Sequence, residues 1–208
     1  MTALPQLIPL FPLPNAVLFP RVPLPLHVFE PRYRKMVADA LGGHQTIGMV
    51  LLQPGFENDY EGRPPVFPVG CAGTIETCEP LPDGRFNITL KGRSRFRILE
   101  EHGGEPYRLA TVQALADPAG EPGEVAAARR EVMEAIGRAA DGPAVLVIKP
   151  DVPDEVLANA LSQTLPFTPL ERQSLLDCDS ILLRYQRLVE ILDFKRLEET
   201  YGGGPTVH

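Results

Sequence analysis

The amino-acid sequence predicts an α+β protein in which a mostly β N-terminal part is followed by an α-helical C-terminal part. Up to residue 117, short apolar or alternating runs are separated by turns rich in proline and glycine, which is typical of β-strands. From residue 118 onward, apolar residues recur every three or four positions between helix caps. We therefore expect a β-rich domain over residues 1–117 and a helical subdomain over residues 118–208, joined by a segment rich in proline and glycine.

The N-terminal segment of residues 8–41 is the one on which the rest of the β-rich domain is expected to pack. Its prolines fix φ and lack a backbone N–H group, so no helix can form before Pro31. The apolar side chains between the prolines are too numerous to remain in water, and the segment should lie extended as an edge on a core built by other parts of the chain. Pro31 suits the first turn of a helix, and the apolar spacing that follows predicts one helix near residues 31–41.

Further strands and one hairpin turn are predicted before residue 117. Gly70 and Gly73 indicate a β-bulge or a close approach of two backbones. The polar, aperiodic segment 53–65 is typical of a surface loop. The predicted strands cover residues 45–52, 66–79, 86–98 and 107–115, with the hairpin turn at residues 81–85.

The strand at residues 86–98 alternates between an apolar face and a strongly basic face. Gly92 is expected to mark a kink, because an unbroken strand of this length is unusual. Two interpretations of the basic face remain open: a solvated outer surface partly neutralised by nearby carboxylates, which we favour, or a site for an acidic segment of a partner. The basic face consists of Asn87, Thr89, Lys91, Arg93, Arg95 and Arg97.

Helices are predicted after residue 117. Thr168 and Glu171 have the spacing of a capping box, and Asp179 or Ser180 is expected to cap the last helix. That helix, near residues 180–201, carries a 4-3-4 row of apolar residues for packing on another helix, formed by Ile181, Tyr185, Leu188 and Leu192. The first predicted helix covers residues 124–140 and ends at residues 141–143, and the tail after residue 201 is expected to fray.

Composition and motifs exclude several classes of protein. The net charge of −7 argues against a dedicated nucleic-acid binder. Three cysteines make a poor disulfide framework, and neither a signal peptide nor a membrane-spanning run is recognisable, so we expect a cytoplasmic protein. No phosphate loop, dinucleotide fingerprint, zinc motif or nucleophile elbow is found, and the four histidines are scattered. We therefore expect no enzyme activity, no cofactor and no metal.

Several motifs resemble the N-terminal, substrate-binding domain of the ATP-dependent protease Lon, and more closely the small bacterial proteins that consist of that domain alone. The similar segments lie in the expected order over roughly residues 7–195 and include NAVLFP at 15–20, FEPRY at 29–33, VGCAGTI at 69–75, LPDG at 81–84 and GRSRFRI at 92–98. The resemblance implies a PUA-like pseudobarrel followed by a helical subdomain. It also implies a role in substrate recognition, and because neither an ATPase nor a Ser-Lys peptidase module is recognisable, we expect no proteolysis by this chain alone.

Three hypotheses of function follow from the residues and the resemblance. The first is a non-catalytic module that binds exposed peptide segments or a partner protein through the proline-rich edge and the arginine-rich face. The second is a hydrolase with an unrecognised site, and the third is an RNA-binding PUA-like protein, against which the acidic composition argues. For the first hypothesis the candidate binding residues are Phe29, Arg32, Tyr33, Arg93 and Arg95, although for Phe29 and Tyr33 we favour a role in a buried junction between strand and helix.

Overall fold

A computed structural model describes residues 4–56, 62–103, 106–139 and 151–202. The predicted helix end at 141–143, part of the predicted loop at 53–65 and the tail beyond residue 202 lie outside the described residues. The strands are β1 (Leu7–Leu13), β2 (Pro23–Val28), β3 (Thr46–Leu51), β4 (Val69–Pro80), β5 (Phe86–His102) and β6 (Arg108–Ala114). The helices are α1 (Pro31–Gly42), α2 (Pro122–Ala139), α3 (Asp154–Thr164), α4 (Pro169–Leu176) and α5 (Ile181–Gly202). The predicted α+β class is confirmed.

Five of the strands close into a ring. Strand β1 pairs in parallel with β3 and antiparallel with β6, β3 pairs with β4, and β5 pairs with both β4 and β6. The sixth strand, β2, pairs with the first half of β5, outside the ring. The interior of the ring is apolar because alternate side chains of each strand point inward. Its buried cluster consists of Ile8, Leu10, Val50, Ala72, Phe96, Ala110 and Val112.

Before Pro31 the proline-rich segment forms no helix, as predicted, but its two strands are separated by a turn at residues 20–21 and it does not form one free edge. Strand β1 lies between β3 and β6, so its two sides are both paired. Among the described residues, β2 pairs with β5 alone. The prediction of an edge is therefore wrong for β1 and correct for β2, because closure of the ring depends on β6, which lies far along the chain from β1.

Strand β5 continues to His102 and contains two β-bulges. Its register shifts by one residue at Arg93, opposite β4, and at Leu99, opposite β6. Gly92, next to the first bulge, donates its N–H group to the Val22 carbonyl at 3.0 Å, and a Cβ atom at Gly92 would overlap the Phe19 carbonyl. Gly92 therefore allows the segment between β1 and β2 to approach β5 closely, which is a common reason for glycine inside a strand.

The predicted basic face of β5 is not a continuous solvated surface. Arg95 is 1% exposed, and its guanidinium donates to the carbonyls of Leu176, at 3.0 Å, and Ala116, at 2.8 Å. Its Nε atom also lies 3.6 Å from a carboxylate oxygen of Asp117. The expectation that Arg95 is exposed for a partner is therefore wrong, because the end of α4 and the chain after β6 cover this part of the strand. Arg97, two residues further on, is exposed.

Contacts within the chain divide it into two compact units. The first comprises Met1–Asp117 and Asn159–Asp177, and the second comprises Pro118–Ala158 and Cys178–His208. In the first unit, Gln173 of α4 donates to the Val69 carbonyl of β4 at 3.0 Å, so α4 packs with the strands. The predicted division into domains at residue 117 stays a prediction.

The helix caps and the seam of α5 follow the sequence patterns. The capping box of Thr168 and Glu171 is formed at the start of α4, and the Ser180 hydroxyl accepts from the Leu183 N–H group at 3.1 Å at the start of α5. In the second unit α5 packs with α2, and the predicted row from Ile181 to Leu192 is buried. No helix in the described part of the chain combines the length and the apolar character needed to cross a bilayer.

Candidate functional site

An apolar concave surface of the first unit is built mainly by the proline-rich segment. One pocket, of about 330 Å³, is lined by β1, β2 and the start of α1, and a second, of about 260 Å³, by the end of β3 and the start of α4. Pro14 lines both pockets, so we treat them together as the apolar groove. The side chains that form its apolar walls are Phe11, Leu13, Leu26, Val28, Phe29 and Tyr33 in the first pocket and Leu51, Leu52, Pro54, Pro169 and Leu170 in the second.

Phe29 and Tyr33 line the same pocket but differ in exposure. Tyr33 is 3% exposed, and its ring centroid lies 4.4 Å from that of Phe11. Phe29 is 59% exposed, and its ring is stacked 6.1 Å from the His27 imidazole. The interpretation that both residues anchor a buried junction is therefore correct for Tyr33 and wrong for Phe29, which offers a large apolar surface to a ligand.

Arg32 supports the wall of this pocket. Its Nε atom donates to Glu30 at 3.0 Å, and its guanidinium lies 4.6 Å from the centroid of the Tyr33 ring. Both contacts hold the Tyr33 ring and the start of α1 in one arrangement. The described lining of the apolar groove includes neither Arg93 nor Arg95, so the five candidate residues do not converge on one pocket.

The free side of β2 is a poor template for an added strand. Backbone N–H groups of an antiparallel pair point alternately toward and away from the partner strand, and neither Pro23 nor Pro25 has an N–H group. The N–H groups that face β5 are therefore those of Leu24 and Leu26, and the prolines occupy the positions that face away from β5. The Pro23 carbonyl on that side already accepts from Gln163 at 2.8 Å. Prolines in such positions block edge-to-edge pairing. The predicted mode of binding, strand addition to this edge, is therefore disfavoured, and the apolar groove is the better candidate.

A third pocket, of about 470 Å³, contains residue types that occur in cysteine nucleophile sites. His27, Cys78 and Asn87 line it on β2, β4 and β5. The Arg85 guanidinium can only donate, so His27 Nε2, at 3.2 Å, is an acceptor and the proton lies on Nδ1, 2.8 Å from Asn87 Oδ1. Burial raises the pKa of the Cys78 thiol, which disfavours the thiolate.

Both imidazole nitrogens of His27 are thus engaged by Arg85 and Asn87, and these residues do not assemble a nucleophile with a base. Within the described ranges, no group of three or more His, Cys, Asp or Glu side chains is arranged to hold a metal ion.

Fold and groove together define the class: a PUA-like pseudobarrel with accompanying helices and an apolar groove in its β-rich unit. The chain belongs to the family described as the ATP-dependent protease La (LON) substrate-binding domain, whose model matches residues 7–193. The resemblance inferred from the sequence motifs is thereby confirmed.

Sequence similarity to Lon proteases agrees with this family assignment. The chain is 29% identical over 203 residues to the Lon protease of Cytophaga hutchinsonii, covering 91% of this chain and 24% of that protein. It is 28% identical over 200 residues to Lon protease 2 of Desulfotalea psychrophila, covering 93% of this chain and 26% of that protein. The chain thus spans about a quarter of the length of the curated relatives that it matches.

Two solved structures share the fold. The crystal structure of a Lon N-terminal domain protein from Xanthomonas campestris has a TM-score of 0.62 and 25% identity, over 88% of this chain and 97% of that one. The N-terminal domain of the Mycobacterium avium complex Lon protease has a TM-score of 0.65 and 13% identity, over 90% of this chain and 98% of that one. The predicted PUA-like α+β fold is confirmed.

Proposed function

We propose that this chain binds exposed, extended apolar segments of other polypeptides in the apolar groove, without catalysing a reaction on them. The observation that carries the proposal is the Phe29 ring, 59% exposed on the wall of a pocket of about 330 Å³ that is otherwise largely apolar. Aromatic side chains that become buried on binding contribute a large share of the affinity of protein interfaces. Membership of a family described as a substrate-binding domain supports a polypeptide as the ligand.

The candidate residues have different proposed roles. Phe29 contacts the ligand, whereas Tyr33 and Arg32 hold the wall of the pocket from behind. Arg93, which is half-buried at a bulge of β5, keeps the proposed role of contacting acidic residues that flank the bound segment. Arg95 has no such role, because its guanidinium is enclosed by backbone carbonyls.

Polypeptide is preferred over RNA, and binding is preferred over hydrolysis. Enclosure of Arg95 interrupts the row of cations on β5 that favoured RNA, and the net charge is −7. Engagement of His27 by Arg85 and Asn87 leaves the pocket of about 470 Å³ without an activated nucleophile. The proposed compartment is the cytoplasm, because a sparse, odd set of three cysteines suits a reducing environment.

Photo-crosslinking with a matched control position tests the proposal. A benzophenone amino acid is placed at Phe29 in one variant and at Leu99 in another, because both side chains are 59% exposed and both lie in the first unit. We expect capture of unfolded casein at position 29 and none at position 99. Equal capture at both positions, or none at either, would contradict binding in the groove.

Affinity measurements and an activity assay complete the test. We expect Phe29→Glu to weaken casein binding about tenfold or more, since burial of one aromatic ring is lost, and Leu99→Glu to leave it unchanged. Casein incubated with the chain, with and without ATP, should stay intact. Cleavage that follows the purified chain would overturn the non-catalytic part, and salt-dependent RNA binding that is lost in Arg93→Glu would overturn the preference for polypeptide.

A further inference from the structure

Helix α5 carries a second row of residues at the spacing of a helix-packing seam, on the side away from its buried seam. The positions follow a 4-3-4-3 pattern, which keeps residues on one face of a helix. The apolar members are exposed, by 47% at Leu183, 59% at Phe194 and 45% at Leu197. This outer row consists of Leu183, Arg187, Glu190, Phe194 and Leu197.

The outer row differs from the surface of an ordinary amphipathic helix. A helix at the surface of a domain has one apolar stripe, and α5 already buries such a stripe from Ile181 to Leu192 within its unit. A second stripe with a large aromatic residue, aligned in register with the helix repeat, is typical of a surface that is covered by another helix.

The two charged members of the outer row decide which helix can cover it. Arg187 and Glu190 occupy the middle of the row and contact each other within the helix at 2.8 Å. A second α5 in parallel orientation would place Arg187 against Arg187 and Glu190 against Glu190, which is repulsive. An antiparallel second copy can place Arg187 opposite Glu190 twice, and the same register places Leu183 opposite Phe194 twice.

We propose that α5 pairs antiparallel with α5 of a second copy of this chain through the outer row, forming a symmetric dimer. In this register charge and apolar character are both complementary, and each Glu190 carboxylate lies between two guanidiniums. Leu197 falls opposite Ser180, just before the partner's helix begins, and contributes little. The interface uses only the second unit and is independent of the proposed binding of polypeptide.

Analytical ultracentrifugation of the full chain at physiological salt tests the proposal. We expect a reversible monomer–dimer equilibrium with a dissociation constant between about 5 and about 500 µM, as is usual for a small interface. Phe194→Glu should weaken the dimer about tenfold or more, and Leu197→Ser should change the dissociation constant by no more than about twofold. Circular dichroism and thermal melting check that each variant is folded.

A charge-exchange experiment tests the register itself. Arg187→Glu places two carboxylates in the row and Glu190→Arg places two guanidiniums, so each variant alone should dimerise about tenfold more weakly or worse. An equimolar mixture of the two should form a heterodimer of at least the native affinity. A chain that stays monomeric, a dimer that Phe194→Glu leaves unchanged, or a mixture that does not associate would each overturn the proposal.

Discussion

The Arg95 guanidinium of β5 donates a hydrogen bond to the Leu176 carbonyl at the end of α4, with a donor–acceptor distance of 3.0 Å. The last carbonyls of a helix have no partner within the helix, so this bond satisfies a group that burial would otherwise leave unpaired. A second bond, to the Ala116 carbonyl, ties the chain after β6 to the same side chain. One buried cation therefore joins three segments of the first unit that are distant in sequence.

Replacement of Arg95 should destabilise the fold strongly. Arg95→Ala leaves the carbonyls of Leu176 and Ala116 without their donor, and we expect the free energy of unfolding to fall by about 2–5 kcal/mol. Arg97→Ala is the matched control, because Arg97 lies on the same strand and is exposed, and its effect should stay within about 0.5 kcal/mol. Urea denaturation measures both, and equal losses would show that the Arg95 bonds contribute nothing specific.

A methyl group at Gly92 should be tolerated poorly. A Cβ atom at this position would overlap the Phe19 carbonyl, which is backbone and cannot rotate away, so Gly92→Ala should cost about 2 kcal/mol or more. Gly42, at the end of α1 in the same unit, has open space around it, and Gly42→Ala should change stability by no more than about 1 kcal/mol. Thermal melts of the two variants make the comparison, and similar melting temperatures would contradict the close approach.

The stability of the chain in acid should depend on Asp39. The Lys35 ammonium donates to this carboxylate at 2.7 Å and the Tyr107 hydroxyl at 2.8 Å, and together they hold the pKa of Asp39 below its ordinary value. A lowered pKa in the folded state contributes stability above the unfolded pKa, near pH 4, and this contribution is lost as the pH falls through the folded value.

Tyr107→Phe removes one of the two donors to Asp39 and tests this account. We expect the pKa of Asp39, followed by carboxyl NMR titration, to rise toward its ordinary value. The stability that Asp39 loses in acid should then be smaller and should be lost completely at a higher pH. Lys35→Gln should have the same direction of effect. A titration of Asp39 that neither substitution changes would contradict the assignment.

The two pockets of the apolar groove should act together on long ligands. Leu170 lines the second pocket and is 50% exposed, and Pro14 joins that pocket to the one that contains Phe29. We therefore expect Leu170→Glu to weaken the binding of long apolar peptides about fivefold or more and to leave short ones bound through Phe29 unaffected. Fluorescence anisotropy with a series of peptide lengths measures this, and a loss independent of length would contradict a continuous groove.

The amide hydrogens of helix α4 should exchange with solvent at rates similar to those of the strands rather than to those of α5. Gln173 and Arg95 bind α4 to β4 and β5, so opening of α4 requires the loss of contacts in the first unit. Hydrogen-exchange mass spectrometry of the full chain should give similar protection for Pro169–Leu176 and for β4. Protection of α4 that follows α5 instead would support the simple division at residue 117.

Features that depend on neighbouring residues were predictable from the sequence. The capping box at Thr168 and the hairpin turn at residues 81–85 follow from local backbone chemistry, and both are formed. The buried row of α5 follows from helical periodicity. The bulge at Arg93 lies next to Gly92, where a kink was predicted, and opposite Gly73, where a bulge or a close approach was predicted. Only its exact residue was not predictable, because an unbroken alternation and a bulged one have the same residue types in this strand.

Features that depend on distant segments could not be predicted. The burial of Arg95 results from α4, whose last residue lies 81 positions further along the chain. The apolar groove combines β1, β2 and the start of α4, and no single stretch of sequence contains its pattern. Within the FEPRY segment, Tyr33 is buried against Phe11 of β1 whereas Phe29 is exposed, and the residue types of the segment do not distinguish the two positions.

Closure of the ring has a consequence for synthesis of the chain. Strand β1 needs β6 as a neighbour, and about a hundred residues separate the two strands. At translation rates of 5–20 residues per second, an apolar first strand waits roughly 5–20 s at the ribosome before its partner emerges. During that interval the nascent protein is itself an exposed, extended apolar segment, and it requires the same protection from aggregation as any other unfinished polypeptide.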